Sequence, residues 1–351
     1  MSTIKEVAKK AGVSVSVVSK SFNNYADVKE ETRQRIFAIA KELNYSPNLN
    51  AKNLSSKKQM TLGLISSGVL NDNENDSNAF NIFKGVYQEV TNSRFELSIY
   101  LIDSQQQKQQ SYVRYCRERN IGGAILQGIR TDDQYYKELI DSSLPCVVLD
   151  IMAETVNGLI GSVSIDNAKA VEEVAAYLLE LNHRKLVVVS GTRETYVNSE
   201  RLKGLERALN ASGIELSDID ILEASFSEEK AYELAKAYLQ EKQPTAFLCF
   251  SDLMAYGVMK AVKEAGLRIP EDISITGIDD LLLSRYMQPP LTTIRQDFVK
   301  IGKISARLLQ EIIEGKSERQ HIWVPHQLLE RQSVKRLSSV QITEEEKRET
   351  I

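Results

Sequence analysis

The sequence predicts a small all-helical head with a helix-turn-helix motif, followed by an α/β core of two lobes built on doubly wound parallel sheets. Three observations support this fold class. Residues 1–58 carry 11 Lys and Arg against 5 Asp and Glu, whereas residues 59–351 carry 33 against 43. Residues 3–43 have the apolar spacing of short helices. The remainder alternates β-rich runs with longer amphipathic helices, which indicates parallel sheets covered on both faces.

Composition excludes several protein classes. Apolar residues make up 42% and charged residues 26% of the 351 residues, as in ordinary globular proteins. The longest apolar runs are far shorter than the ~20 residues that cross a bilayer, and the N-terminal residues lack the apolar segment of a secretory signal. The three cysteines, Cys116, Cys146 and Cys249, form no C-x-x-C pair. We therefore expect a cytoplasmic protein with reduced thiols, no membrane partner and no cofactor.

The head is predicted to contain three amphipathic helices. They cover Thr3–Ala11, Val15–Phe22 and about residues 29–44. Thr3 and Glu6 have the spacing of a capping box at the start of the first helix. Gly12 is suited to a left-handed turn, and Ser14 is the N-cap of the second helix. Val18 and Phe22 form the buried side of that second helix, and the third helix directs inward the apolar side chains Ile36, Phe37, Ile39, Ala40 and Leu43.

The second helix has the side chains of a DNA-recognition helix. Two short helices joined by a tight turn form a helix-turn-helix, whose second helix enters a major groove. Serine and lysine bond base edges or phosphates, and valine contacts a thymine methyl group. The side opposite the buried face carries Val15, Ser16, Ser19 and Lys20, with no acidic residue. A helical hairpin that binds protein is the alternative.

The residues of the head resemble those of LacI-family regulators. The matching motifs are Thr3-Ile4-Lys5-Glu6-Val7-Ala8, Ala11-Gly12-Val13-Ser14, Val17-Val18-Ser19, Glu31-Thr32-Arg33 and Leu43-Asn44-Tyr45-Ser46-Pro47-Asn48. The resemblance implies that Val15, Ser16 and Lys20 read bases, although Val15 replaces a residue that is often polar. The full predicted set of DNA contacts is Thr3, Ser14, Val15, Ser16, Ser19, Lys20, Asn23, Asn48, Ala51, Leu54 and Ser55.

The segment that follows the head is predicted to be a marginal helix. Residues 47–56 begin with a proline and have few apolar groups to bury. Leu54 is a bulky aliphatic residue in this polar linker, and one use for it is as a wedge between base steps. Packing of Leu54 against the core is the alternative. Ala51-Lys52-Asn53-Leu54 resembles the family's hinge helix, which folds on DNA and inserts its leucine at the operator centre.

The core is predicted to contain nine strands and eight helices in alternation. The strands are Thr61–Ser66, Phe95–Ile102, Gly123–Leu126, Cys146–Asp150, Gly161–Asp166, Lys185–Ser190, Ile219–Ala224, Ala246–Ser251 and Ile273–Ile278. The helices are Phe80–Thr91, Gln107–Arg119, Asp133–Asp141, Asn167–Leu181, Ser199–Ser212, Ser227–Lys242, Asp252–Ala265 and Phe298–Glu314. About 270 residues are too many for one such sheet, so two lobes are expected.

Polar side chains collect where the predicted strands end. Ligands of such folds bind beyond the carboxyl ends of the strands, in the crevice between the lobes. The residues at these ends are Asp166, Ser190, Arg201, Phe226, Ser251, Asp252, Asp279 and Asp280. Carboxylates accept bonds from hydroxyl groups and arginine donates several, which suits a polyhydroxylated ligand. Aspartate and serine at strand ends are also ordinary helix caps, and that alternative stays open.

The core also resembles that of LacI-family regulators, so the similarity covers roughly residues 3–335. The matching motifs include Val163-Ser164-Ile165-Asp166-Asn167, Glu200-Arg201-Leu202-Lys203-Gly204, Ser251-Asp252-Leu253-Met254-Ala255-Tyr256-Gly257 and Gly277-Ile278-Asp279-Asp280. The resemblance implies a core like periplasmic binding proteins, with an effector cleft lined by Asn78, Phe80, Asp166, Arg201, Phe226, Ser251 and Asp279. Ser251 stands where asparagine or threonine is frequent, and residues 68–80 depart from the family pattern. Arg201 favours a small hydroxylated effector.

These observations predict four segments. The head covers residues 1–46, the hinge helix and linker 47–59, the core 60–336 and a polar tail 337–351. The first lobe takes about residues 60–164 and 295–323, and the second takes about 165–294 and 324–336, so the chain crosses between lobes three times. The tail lacks leucine heptads, so we expect a homodimer.

Enzyme chemistry has little support in the sequence. The three histidines lack metal-binding spacing, and no P-loop or G-x-S-x-G motif occurs. His183 falls in a polar turn, where a surface position is expected. Asp279 and Asp280 are adjacent on one strand and point opposite ways. The remaining functions are a DNA-binding regulator, most simply a repressor, that is controlled by a sugar, sugar phosphate or sugar acid, and a solute-binding protein with an incidental head.

Overall fold

The structure is a computed structural model that describes residues 3–22, 25–45, 61–67, 77–102, 111–129, 136–153, 158–193, 195–317 and 321–338. The chain divides into two compact units, Met1–Met60 and Thr61–Ile351. The first unit is helical in its described part, and the second contains two six-stranded sheets. The predicted fold class, a helix-turn-helix head with a doubly wound α/β core, is confirmed.

The head contains three helices in its described residues, and their caps form as the sequence predicts. They are α1 (Ile4–Ala11), α2 (Val15–Phe22) and α3 (Glu30–Glu42). The Glu6 carboxylate accepts the Thr3 N–H at 2.8 Å, and the Thr3 hydroxyl oxygen accepts the Glu6 N–H at 3.4 Å. Gly12 ends α1 in the left-handed region with φ of 65°. The Ser14 hydroxyl accepts the Val17 N–H at 3.3 Å, so the turn between α1 and α2 is closed at both ends.

The centre of the head is a small apolar cluster. Its buried members are Val7, Ala8, Ala11, Val18, Ile36 and Ala40. Phe22 lies at its edge, with its ring centroid 5.1 Å from that of Phe37 and 5.9 Å from that of Tyr45. The predicted inward position of Phe37 is only half right, because 39% of this residue is exposed and its ring covers Phe22 from outside.

The core contains twelve strands in its described residues, arranged in two sheets. The strands are β1 (Thr61–Ser67), β2 (Glu96–Ile102), β3 (Ile121–Gln127), β4 (Cys146–Leu149), β5 (Ile160–Ser164), β6 (Leu186–Ser190), β7 (Asp220–Glu223), β8 (Ala246–Cys249), β9 (Ser274–Asp279), β10 (Thr292–Arg295), β11 (His321–Trp323) and β12 (Gln327–Leu329). The first sheet has the order β11-β5-β4-β3-β1-β2 and the second has the order β12-β10-β9-β8-β6-β7. Every pairing is parallel except that of β10 with β12.

Eight helices cover the sheets in the described part of the core. They are α4 (Ser77–Val90), α5 (Tyr112–Glu118), α6 (Tyr136–Asp141), α7 (Asn167–Glu180), α8 (Tyr196–Ala211), α9 (Glu228–Glu241), α10 (Asp252–Glu264) and α11 (Phe298–Glu314). Helix α11 packs on α4, α8 on α7 and α9 on α10. The pair α7 and α8 touches at Gly204, where a Cβ atom would lie 1.9 Å from the carbonyl oxygen of Ala168. This close backbone approach fixes how α8 presents its side chains.

The three short strands β10, β11 and β12 were not predicted as strands. Each has only three or four residues, so period-2 alternation is too brief to recognise in the sequence. Strand β11 pairs with β5 at the edge of the first sheet, and β12 pairs with β10 at the edge of the second. The last part of the chain therefore adds one edge strand to each lobe.

His183 is buried, so its predicted surface position is wrong. The residue is 0% exposed, and its Nε2 lies 3.0 Å from the carbonyl oxygen of Lys335. The Leu337 N–H also donates to the carbonyl oxygen of Leu181 at 2.9 Å. Residues 335–337 therefore cover the turn between α7 and β6. The polar sequence around His183 does not indicate that residues 335–337 cover it, because they are more than 150 residues away in the chain.

Burial of His183 predicts that acid destabilises the core. Burial lowers the pKa of His183 below its ordinary value of 6.5, so the unfolded chain binds a proton more readily. Stability is therefore lost as the pH falls below about 6.5, with a slope of at most about 1.4 kcal/mol per pH unit from this group. We expect the melting temperature to fall between pH 7.5 and 5.5, and to fall less in His183→Gln. An equal fall in both proteins would contradict this role.

Candidate functional site

Helix α2 presents the predicted base-reading side chains on its exposed side. Val15 is 39% exposed and Ser16 is exposed, whereas Ser19 and Lys20 are half-buried. Val18 and Ser21 are buried on the opposite side, and the Ser21 hydroxyl donates to the carbonyl oxygen of Val17. The helix is therefore anchored by one face and offers a valine, two serines and a lysine on the other.

Lys20 forms an ion pair with Asp27, which follows α2 in the chain. Its Nζ donates to the Asp27 carboxylate, and this bond raises the pKa of Lys20 and lowers that of Asp27. Both side chains are about half exposed. The lysine is therefore charged, and any group on DNA that it contacts competes with this carboxylate. The predicted contacts Thr3 and Ser14 are exposed, whereas Asn23, Asn48, Ala51, Leu54 and Ser55 lie outside the described residues.

In the core, Arg201 is the centre of the predicted effector site. It is 5% exposed on α8, its Nε donates to Asn167 Oδ1 at 2.8 Å, and its Nη1 donates to the carbonyl oxygen of Phe250. Asn167 Nδ2 donates to Ser164 Oγ at 3.2 Å, and Ser164 Oγ donates to Asp150 Oδ1 at 2.7 Å. A chain of hydrogen bonds therefore runs from the second lobe to the carboxyl ends of β5 and β4 in the first.

Carboxylates surround the Arg201 guanidinium. Burial lowers the pKa of Arg201. The nearby carboxylates of Asp279, Asp150 and Asp252 raise it again, because they stabilise the positive charge. A guanidinium remains protonated in proteins, so Arg201 is a buried cation. Burial also raises the pKa of Asp150, partly offset by the bond from Ser164. The Arg201 cation therefore lies among three carboxylates.

The end of β9 supplies two carboxylates that face different partners. Asp279 Oδ1 accepts a bond of 2.7 Å from Gln296 Nε2, and Gln296 lies on the segment that crosses from β10 to α11. Asp280 accepts bonds from the guanidinium groups of Arg285, Arg295 and Arg331. The prediction that the two side chains point opposite ways agrees with these separate partners. The Asp280 cluster fixes the strand end from which Asp279 projects.

Phe226 lies over the end of β6. A Cβ atom at Gly191 would lie 2.0 Å from its ring, so glycine is needed beneath it. Phe226 and Ser225 both have positive φ, of 60° and 53°, and Asp279 has φ of 134°. Positive φ is strained for residues other than glycine, and such strain collects at functional sites. The strained residues lie at the carboxyl ends of β7 and β9, where the predicted site is.

The capping alternative is correct for two of the predicted residues. Asp166 Oδ1 accepts the Lys169 N–H at 2.9 Å, and the Ser251 hydroxyl accepts the Met254 N–H at 3.2 Å. Asp252 is 0% exposed and accepts bonds from Thr293, Ser284 and the Leu281 N–H. Burial raises the pKa of Asp252 to about 6. The cap occupies one carboxylate oxygen of Asp166, whereas both oxygens of the buried Asp252 are bonded within the core.

The two predicted first-lobe residues are placed on α4. Asn78 is half-buried, and Phe80 is 64% exposed with its ring 6.1 Å from that of Phe83. The described contacts of Phe80 thus join it to α4 and not to the Arg201 cluster. Residues 68–76, which precede them, lie outside the described residues.

Sequence reasoning missed Asp150, Asn167 and Gln296. Asp150 follows β4 directly, so the same strand-end argument that selected Asp166 applies to it. Asn167 and Gln296 gave no sequence signal, because their roles come from partners 34 and 17 residues away.

The described residues show neither a metal-binding cluster nor a membrane-spanning helix. No group of three or more His, Cys, Asp or Glu side chains is arranged to hold a metal ion in those ranges. Within the same ranges, every helix is too short or too polar to cross a membrane.

Known proteins resemble both units of the chain. Residues 3–48 match the family described as "Bacterial regulatory proteins, lacI family", and residues 175–334 match "Periplasmic binding protein-like domain". The HTH-type transcriptional repressor PurR of Photobacterium profundum is 32% identical over 96% of this chain and 100% of its own. Catabolite control protein A of Priestia megaterium is 31% identical over 95% and 99%.

The chain belongs to the LacI family of bacterial regulatory proteins. A lac repressor dimer bound to operator and the anti-inducer ONPF has the same fold, with a TM-score of 0.84 and 26% identity over 95% of this chain and 99% of that one. The regulator is accordingly a DNA-binding protein with a ligand-binding core, and it is not an enzyme.

Proposed function

We propose that this LacI-family regulator is a cytoplasmic repressor that binds operator DNA as a homodimer and is controlled by a sugar or sugar-derived effector in the core. The observation that carries the proposal is the pairing of an exposed recognition helix with a buried arginine–carboxylate cluster at the strand ends of the core. The recognition helix carries side chains that can contact base edges, and the arginine–carboxylate cluster can form hydrogen bonds with hydroxyl groups of a ligand.

The head supplies DNA binding in this proposal. Val15, Ser16 and Lys20 read bases in the major groove, and Lys20 exchanges its Asp27 partner for a group on the DNA. Thr3, Ser14, Ser19, Asn23, Asn48, Ala51 and Ser55 complete the set by contacts to phosphates or the minor groove. The net charge of +6 on residues 1–58 favours association with a polyanion.

Salt dependence of DNA binding tests this part of the proposal. Neutralising several phosphates should make log K fall with log salt with a slope near −0.9 per phosphate. The measurement is fluorescence anisotropy of full-length protein on duplex DNA selected from a random library. Lys20→Ala should weaken binding to the selected duplex at least tenfold. An affinity independent of salt, or no affinity at low salt, would refute the proposal.

Leu54 is proposed as the wedge at the operator centre. Leu54→Ala should weaken operator binding by about tenfold or more. Without the leucine side chain, the cost of unstacking a base step is no longer offset by burial of that side chain between the bases. Ligand binding by the core should not change. Gln59→Ala is the control, because it changes a residue of the same linker without changing its charge. Unchanged operator affinity in Leu54→Ala would contradict the wedge.

The homodimer is supported by apolar side chains that the core leaves exposed. In the second lobe, Leu282, Leu283 and Tyr286 are 66%, 54% and 73% exposed on one short segment. In the first lobe, Tyr87 is 54% exposed and lies beside Phe83 on α4. Grouped exposed apolar side chains mark protein interfaces. The related lac repressor was solved as a dimer.

A sugar is proposed as the effector because the site combines carboxylates, one arginine and one aromatic ring. Asp150, Asp166 and Asp279 accept bonds from hydroxyl groups, Arg201 donates, and Phe226 covers C–H surfaces. Ser251, Asn78 and Phe80 complete the proposed set. The similarity to PurR repressors makes a purine the second candidate. Titration with sugars and purine bases distinguishes the two.

Control of DNA binding follows from the paths between the lobes. The Arg201 bond chain reaches Asp150 in the first lobe, and Gln296 joins Asp279 to the crossing segment before α11. A ligand that competes for these side chains changes the relation of the lobes, and with it the spacing of the two hinges in a dimer. Coupling free energies of this kind are about 1–3 kcal/mol.

A further inference from the structure

The hydrogen-bonding groups around Arg201 are mostly acceptors. The guanidinium is near Asp150, Asp252 and Asp279, and Asp166 lies beside Tyr196 at the start of α8. Two of the donating groups of Arg201 are already bonded to Asn167 and to the carbonyl oxygen of Phe250. Ionised carboxylates accept bonds and donate none. A ligand that fits here must therefore supply hydrogen-bond donors. Hydroxyl groups donate hydrogen bonds, whereas carboxylate groups and most phosphate oxygens at neutral pH only accept them.

The helix N-termini that open on this edge are capped by the chain itself. An unoccupied helix N-terminus binds anions through its N–H groups. Here four consecutive helices of the second lobe each give one such N–H to a side-chain oxygen of their own N-cap. The caps are Asp166 on α7, Thr195 on α8, Ser227 on α9 and Ser251 on α10. One of these caps is itself a carboxylate, so the edge is less favourable for an anion than such helix ends usually are.

We infer that the effector of this regulator carries no net negative charge, so that a neutral compound binds and its phosphorylated or carboxylated derivative is excluded. The inference rests on the proposed effector site and narrows its ligand class. Four carboxylates, those of Asp150, Asp166, Asp252 and Asp279, outnumber the Arg201 cation in this cluster, and burial strengthens the repulsion of an added anion. We expect a phosphorylated derivative to bind at least about 100-fold more weakly than its neutral parent.

Calorimetric titration of the full-length protein with matched compounds tests the inference. The probes are D-glucose, D-glucose 6-phosphate and D-glucuronate, then D-ribose and D-ribose 5-phosphate, maltose and cellobiose with their phosphates, and hypoxanthine with inosine monophosphate. We expect a neutral member to bind and its anionic partners to bind at least about 100-fold more weakly. An anionic member that binds as tightly as its parent, or a panel in which no neutral compound binds, overturns the inference.

The same panel separates this inference from the proposed function. Binding of a sugar phosphate overturns neutrality and leaves sugar control in place. Binding of hypoxanthine alone overturns sugar control and leaves neutrality in place. Asp279→Asn should lower the preference for the neutral member at least tenfold, because it removes one carboxylate from the site. Glu233→Gln, on the exposed side of α9, removes the same charge elsewhere and should leave the preference unchanged.

Discussion

Arg201→Ala is expected to lower the free energy of unfolding of the core by about 3–5 kcal/mol, because it leaves buried carboxylates without their cation. The residue is 5% exposed and bonded to Asn167 and Phe250. It should also abolish the response to effector. The measurements are chemical denaturation of the core and effector-dependent release from operator DNA, and binding to that DNA without effector should persist at temperatures where the variant is folded.

Two variants separate the roles of Arg201. Arg207→Ala lies on the same helix, 60% exposed and 3.8 Å from Glu172, and should change neither property. Arg201→Lys keeps the charge and loses the planar fork of donors, so it should retain more stability while binding effector at least tenfold more weakly. Normal effector affinity in Arg201→Lys would show that the planar guanidinium of Arg201 is not needed for effector binding.

Asp280→Ala is the second substitution with a large expected effect. The carboxylate is 2% exposed and accepts bonds from three arginines, of which Arg331 is 16% exposed. Removal of the carboxylate leaves three cations close together. Because Arg285 and Arg295 are about half exposed and partly screened by water, we expect a loss of about 2–4 kcal/mol.

The loss should be accompanied by weaker effector binding, because Asp280 fixes the strand end that presents Asp279. Calorimetry with the effector should show at least a tenfold fall in affinity at a temperature where the variant is fully folded. Asp272→Ala is the matched control, since Asp272 accepts two bonds from the exposed Arg268 guanidinium and one from the Arg268 N–H at the surface. Normal affinity in folded Asp280→Ala protein would show that the arginine cluster serves stability alone.

The sequence predicted most of the local structure for physical reasons that lie within a few residues. The capping box of Thr3 and Glu6, the left-handed Gly12 and the Ser14 cap are interactions over three residues or fewer, and all three form. The nine predicted strands all occur; seven are largely buried runs, whereas the edge strands β2 and β7 are mostly exposed or half-buried.

Features that depend on distant parts of the chain were not predictable in this way. His183 looks exposed in its local sequence and is buried by residues 335–337. For Asp280 the sequence leaves two roles open, a ligand contact or a helix cap, and neither indicates its three arginine partners from separate segments. Arg201 and Asp279, both predicted for the effector site from their strand-end positions and motifs, lie near each other, whereas the bonds through Asn167 and Gln296 follow from packing of the lobes.

The edge strands β11 and β12 have a consequence for biosynthesis. They occupy residues 321–329, after all the other described strands, and each completes the sheet of a different lobe. During translation, neither lobe can finish its sheet until residues 321–329 have left the ribosome. A product terminated before residue 321 would leave β5 and β10 with unpaired backbone groups, the kind of exposed edge that promotes aggregation. Premature stop codons upstream of this point should therefore yield insoluble protein instead of a shortened regulator.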